Sequence, residues 1–290
     1  MRAPLAGGTQ ETFLSEVGPV LLPFFSTRDA CALRLVCREF LAAVSEHPWE
    51  DRRTEIEGSI GAWRACFPCA RCANVQKWAF EGDRMARTTP VVDADFVHFE
   101  GLRELYMAGC RIVTDAAFVH LRGIHTLDMS GCNQPAITDA AFAHLAGIQR
   151  LSIMWCSQAT ITDAAFAHLR GIQLLNMSTC TQLTDASFVH LRGIHTLFMW
   201  NCNQPAITDA AFAHLRGIHT LVMERCDQDT ITGAGFAHLK GIHALGMLEC
   251  SDEQVATARS LGLPVNTRDC TSYAGLHYTF DESESDEEAD

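Results

Sequence analysis

Ile207-Thr208-Asp209-Ala210-Ala211-Phe212-Ala213-His214-Leu215-Arg216-Gly217-Ile218-His219-Thr220-Leu221-Val222-Met223 is one copy of a unit that recurs from about residue 75 to residue 270. Its register is marked by Cys110, Cys132, Cys156, Cys180, Cys202, Cys226 and Cys250, at separations of 22, 24, 24, 22, 24 and 24 residues. Self-similarity at such a period means that one supersecondary unit is stacked on itself many times. Within a unit, Leu105-x-Met107 ahead of Cys110 steps with period two and predicts a short strand with one apolar face. Thr114-Asp115 follows a polar turn and predicts a helix N-terminus, where a hydroxyl or carboxylate accepts from free amides. Phe118 and Leu121 then share the inner face of a helix of about two turns, and Gly123 ends it where a positive φ is needed.

One such strand, turn and helix cannot bury its own apolar face, so neighbouring copies must share a continuous core. Period and pattern indicate an α/β leucine-rich-repeat solenoid, a horseshoe with a parallel sheet on its concave side, preceded by a small all-α module. About eight strands roughly 4.8 Å apart would make a sheet roughly 35 Å long. A degenerate first unit is expected at Val75-x-x-Trp78-x-Phe80, and Val265 to Cys270 is expected to close the far end. The expected organisation is a helical module over 12–52, a linking and capping segment over 53–74, the solenoid over 75–272 and an acidic tail over 281–290.

Composition narrows the function. The chain has 290 residues and a net charge of −13, of which −7 comes from the carboxylates between 281 and 290. Neither the tail nor the rest offers the basic field that nucleic acid requires. The tail is expected to be disordered, and Ser283 and Ser285 each precede an acidic residue by three positions. No apolar run is long enough to span a membrane and no secretory signal opens the chain, so an intracellular location, cytoplasmic or nuclear, is expected. Seven of the thirteen cysteines occupy one repeat position, where side chains run parallel; buried reduced thiols are expected rather than disulfides.

Residues 13–50 carry a different pattern. Asp29 precedes Leu33, Val36, Cys37, Phe40, Leu41 and Val44 at helical spacing, an amphipathic helix with an acidic start. Glu16-Val17, Phe24-Phe25, Asp29, Leu33, Val36-Cys37-Arg38, Phe40 and Trp49 resemble an F-box in span and order, with Phe13-Leu14 in place of the usual Leu-Pro, Pro19 within a helix position and Ala30 where leucine is usual. Repeats with this cysteine and Thr-Asp before the helix resemble those of F-box/leucine-rich-repeat proteins. The near-identical copies, 207–215 against 137–145, also look like families expanded in large DNA viruses and protists. This resemblance implies the substrate receptor of a Skp-cullin-F-box ubiquitin ligase, a monomer within that complex. Val17, Leu21, Leu33, Val36, Phe40 and Trp49 would meet a Skp-type adaptor joined to a cullin, and the concave face would hold the protein substrate. The alternative is a binding scaffold whose F-box has degenerated.

On the concave face most positions are small or polar, and the exceptions point to a partner: Tyr106, Asp128, Arg150, Met154, Trp155, Phe198, Trp200, Glu224 and Arg225. Aromatic residues beside arginine are the usual anchors of interfaces, and Phe198-Trp200 is the expected centre. The histidine column from His98 to His238 comes with the repeat and suits the last helical turn, so it predicts no metal. Cys66, Cys69 and Cys72 have ligand-like spacing but lack a prompt fourth ligand, so packing with Trp63 and Phe67 is expected. No nucleophile motif, phosphate-binding loop or isolated carboxylate pair stands out, and neither an enzyme nor a cofactor is expected.

Overall fold

The computed structural model describes residues 20–56, 58–76 and 90–268. Val17, the Trp78 and Phe80 pattern, Cys270 and the acidic tail lie outside the described residues. Nine strands, β1 Cys72–Asn74, β2 Glu104–Tyr106, β3 Thr126–Asp128, β4 Arg150–Ser152, β5 Leu174–Asn176, β6 Thr196–Phe198, β7 Thr220–Val222, β8 Ala244–Gly246 and β9 Val265–Asn266, form one parallel sheet in chain order. From β2 to β8 the register advances by one repeat at each step, pairing Leu105, Leu127, Leu151, Leu175, Leu197, Leu221 and Leu245 in a row. The ladder runs on past the strands, as in Gly131 N–H to the Met154 carbonyl at 2.7 Å.

Three apolar columns fill the space between sheet and helices: the leucines just named, a second column that includes Met129, Ile153 and Met177, and Phe118, Phe142, Phe166, Phe188, Phe212 and Phe236, all wholly buried. The helical turns are short and tight. Asp115–Phe118 is α-helical and passes into a 3-10 turn at Val119–Leu121, whereas Asp163–His168 is 3-10 throughout.

Polar ladders hold the repeats in register. Thr184 caps its own helix by accepting from Ala186 N–H, as expected. Its aspartate neighbour does something else: the Asp163 carboxylate reaches forward to the next repeat and accepts from Thr184 N–H at 2.9 Å and its hydroxyl at 2.6 Å. The same clasp joins Asp93 to Thr114, Asp115 to Thr138, Asp139 to Thr162, Asp185 to Thr208 and Asp209 to Thr232. The thiols look backward, Cys180 Sγ donating to the Ile153 carbonyl at 3.1 Å and Cys226 Sγ to Met199 at 3.0 Å. Burial pushes these thiols up, Cys202 to about 12, so they remain protonated donors. A glutamine column adds a third ladder, with Gln204 Nε2 on the Cys180 and Leu183 carbonyls at 3.0 and 3.1 Å.

The first strand departs from expectation. Among the described residues it is Cys72–Asn74, so Cys72 belongs to the sheet and not to a linker. Ala73 pairs with Leu105 and Val75 N–H donates to the Tyr106 carbonyl at 2.7 Å, so Ala73-x-Val75 supplies the apolar step. Ala73 precedes Leu105 by 32 residues, longer than any later repeat, which is why a regular period pointed too far along the chain.

Ahead of the sheet, α1 Thr27–Leu33, α2 Arg38–Glu46 and α3 Ile60–Cys66 surround a small core of Leu22, Ala30, Val44, Trp49, Phe67 and Ala70. Ser26 and Asp29 form a reciprocal capping box at the start of α1. The module core thus draws Phe67 and Ala70 from the segment expected to be a linker, and Trp63 of α3 packs against both this core and the solenoid's.

Candidate protein-interaction surface

Two surfaces carry the residues singled out from the sequence. The first is the helical module. Of twelve exposed large apolar side chains among the described residues, seven fall between positions 20 and 41: Val20, Leu21, Phe24, Phe25, Leu35, Val36 and Leu41. Leu21 and Val36 are exposed, while Leu33 and Phe40 are half-buried, Leu33 leaning on the module core. Phe24 and Leu35, at 84% and 88% exposure, are the most prominent of the set and were absent from the expected contacts. A period-3.6 reading selects one helix face and passes over the ends: Phe24 closes a 3-10 turn, and Leu35 lies between α1 and α2.

Trp49 corrects the expectation of a free adaptor contact. It is buried, its indole N–H donates to the Val44 carbonyl at 2.8 Å, and its ring meets Phe67 edge-on at 5.6 Å. It holds the module together instead of offering a contact. Asp51 does similar work beside it, accepting from Thr27 N–H at 2.7 Å and from its hydroxyl at 3.0 Å. Burial pushes Asp51 up, but these bonds and those from Thr54 outweigh it and hold the carboxyl below its ordinary value.

The second surface is the outward face of the sheet, and here the packing of neighbouring strands changes the reading. Phe198 is 8% exposed, packed with Leu174 and Val222 into a row of side chains across β5 to β7. Tyr106 is buried beside Cys72, and its hydroxyl donates to Glu104 at 3.2 Å. Glu104 also takes a two-pronged ion pair from Arg52, at 2.6 and 2.8 Å, which ties the helical module to β2 and raises the arginine. Asp128 is buried and accepts from the N–H and hydroxyl of Ser130; Met154 and Glu224 are buried as well. Phe198, Tyr106, Asp128, Met154 and Glu224 are therefore largely enclosed by neighbouring side chains, and Arg150 is half-buried. In-register pairing sets the side chains of successive strands beside one another, and a period-two pattern within one strand carries no record of that stacking.

What projects is a row just beyond the strand ends. Arg225 lies over the Trp200 ring at 5.4 Å and forms a fork with Glu249 at 2.7 and 3.0 Å, so three successive repeats contribute one side chain each. Trp200 is half-buried and Arg225 exposed. The residue before each marker cysteine is left-handed: Gly109 and Gly131 early in the row, then Trp155 at φ 61°, Thr179, Asn201, Arg225 at φ 55° and Glu249. Side chains cost roughly 1–2 kcal/mol in this conformation. The last five repeats carry side chains there despite that cost, with Arg225 and Glu249 exposed, Trp155 and Asn201 half-buried and Thr179 buried. Towards the end of the sheet, Ala244 and Gly246 recess the concave face and leave a hollow of about 190 Å3 beside Val222, His243 and Asn266.

The remaining candidates disperse. Cys66 packs beside Trp63, Cys69 is exposed and Cys72 is buried in β1, and no cluster suited to a metal ion is found among the described residues. The outer histidines make local contacts, as His120 does with Glu100 at 2.6 Å. No helix among the described residues is long and apolar enough to cross a membrane.

No protein-family model matches the chain, and no curated protein matches its sequence. Solved structures do resemble it. A Toll-like receptor in a TLR13–ssRNA13 complex is similar at a TM-score of 0.55 and 15% identity, over 76% of this chain and 33% of that one, so this chain spans about a third of the receptor's length. Internalin C2 of Listeria monocytogenes is similar at a TM-score of 0.51 and 19% identity, over 70% of this chain and 84% of that one. At these identities the likeness establishes architecture alone: the chain has the leucine-rich-repeat fold.

Proposed function

We propose that the chain is a non-enzymatic protein-interaction scaffold acting as a substrate receptor of a Skp-cullin-F-box ubiquitin ligase. In this reading the helical module docks a Skp-type adaptor and the solenoid rim around Trp200 and Arg225 holds the protein to be modified. The observation that carries the first half is that seven of the twelve exposed large apolar side chains among the described residues lie on residues 20–41, where a partner would cover them. The second half is supported by Trp155, Trp200 and Arg225 at one rim, the residue types that anchor interfaces.

Burial of Trp49 favours a second reading, a scaffold whose degenerate module has turned one adaptor contact inward. The two readings separate in co-purification of the full chain with a Skp adaptor and cullin. Leu35→Asp with Val36→Asp alters exposed positions, so the melting temperature should hold while adaptor recovery is abolished. No recovery from the unaltered chain would favour the degenerate scaffold, and undiminished recovery from the variant would refute Leu35 and Val36 as the adaptor contact.

A further inference from the structure

The edge of the solenoid where each helix turns into the next strand differs in charge from the rest of the molecule. The residue just before the helix-ending glycine is Arg122, Arg170, Arg192, Arg216 or Lys240, with Ala146 and Glu100 completing the column. Three residues further on, at the entry to each strand, the column reads Arg103, His125, Gln149, Gln173, His195, His219 and His243. Glu100 is the single carboxylate in the two columns, and it is bound to His120. The clasping aspartates lie at the opposite ends of the helical turns. A chain of net charge −13 therefore aligns six of its 22 lysines and arginines along one edge.

These cations are exposed and are not neutralised from within. Among the described residues, Arg103, Arg170, Arg192 and Lys240 have no carboxylate partner, and Arg122 and Arg216 reach only the imidazoles of His144 and His238, at 3.4 and 3.1 Å. A cation at a helix C-terminus accounts for one column through the helix dipole. It does not account for the second, which sits on the strand entry.

The second column is ordered: His195 stacks on His219 with ring centroids 4.5 Å apart, and His219 on His243 at 4.6 Å. The hydroxyls of Thr196 and Thr220 bind Nδ1 of His195 and His219. Seven positions at strand spacing make a strip roughly 29 Å long, the length of about nine extended residues.

We propose that this edge docks an acidic, extended polypeptide segment. The strip is two columns wide, which suits a single strand of peptide. Its rings are imidazoles, and those of His195, His219 and His243 are already stacked on one another, which leaves few faces free for bases. The molecule's overall negative charge repels a polyanion long enough to leave the strip. The inference goes beyond the receptor reading and uses neither the helical module nor the rim.

The test is fluorescence anisotropy of a labelled nine-residue oligoglutamate titrated with the full chain, beside a labelled nine-nucleotide oligouridine. Oligoglutamate should bind, weaken steeply between about 50 and 200 mM salt, and lose about tenfold or more in affinity in Arg170→Glu with Arg192→Glu. Trp200→Ala should leave its binding unchanged. If the reversed pair does not fold, as judged by circular dichroism, Arg170→Gln with Arg192→Gln should show a smaller loss in the same direction. Absence of oligoglutamate binding, equal binding by the charge variants, or oligouridine binding as tight as oligoglutamate would overturn the proposal. Adaptor co-purification, measured on the same variants, reports on the receptor reading separately.

Discussion

Asp128 is a buried carboxylate on the sheet, held by the N–H and hydroxyl of Ser130, whose oxygen also lies 2.7 Å from the Ser152 hydroxyl. Burial raises its pKa and the Ser130 bonds offset that only in part. The folded state therefore keeps this proton to a higher pH than the unfolded chain does. Its contribution to stability is greatest below the ordinary aspartate value of about 4 and falls as pH rises through the folded pKa. Asparagine retains an acceptor for Ser130 without a buried charge, so Asp128→Asn should raise the melting temperature at pH 7, by about 2–4 °C for each kcal/mol recovered. It should also flatten the melting profile above about pH 4. Thermal melts of both proteins across that range check this, and a lower melting temperature at pH 7 in the variant would refute it. The alternation of Thr126, Leu127 and Asp128 marks Asp128 as facing away from the core, which is correct, but away from the core proves not to mean towards water.

At the scale of the element, the unit of cohesion is the clasp between one helical turn and the next. Asp163 leaves its own helix amides to Thr162, which caps them, and binds Thr184 in the following repeat through two bonds. Asp163→Ala leaves the Thr184 amide and hydroxyl without that acceptor, so a loss of about 1.5–3 kcal/mol is expected, read from urea unfolding. Asp163→Asn, which can still accept one bond, should lose less; equal losses would mean that the carboxylate's charge, rather than the clasp, is what matters. Threonine and aspartate were legible as polar residues at a helix start because local chemistry demands them there. Which of the two caps, and which reaches across, depends on the offset between stacked repeats, and no single repeat contains it. β1 was missed for a related reason: Cys72, Ala73 and Asn74 show no apolar alternation of their own, and only pairing with β2 makes them a strand. Trp49 was read from a resemblance to partner-binding positions, whereas its place beneath Phe67 follows from how α1, α2 and α3 close on each other.

For the whole molecule, stability is a sum of repeats and of the interfaces between neighbours, because each strand pairs only with the one before and the one after. The buried phenylalanine column is the largest apolar part of those interfaces, and truncating one ring costs about 3–5 kcal/mol. Where the ring is removed decides what is observed. Phe166 lies in the helical turn that leads into β5, with four strands on either side of that strand, so Phe166→Ala weakens the coupling between two halves that each keep a core. Urea unfolding followed by circular dichroism should then broaden and separate into two steps. Phe236 lies near the end and packs edge-on with Phe212 at 5.2 Å. Phe236→Ala should release the last repeats early and leave one main transition for the remainder, with a midpoint near that of the unaltered chain. A single sharp transition, shifted equally by both substitutions, would mean instead that the Asp–Thr, thiol and glutamine ladders bind all nine strands into one cooperative body.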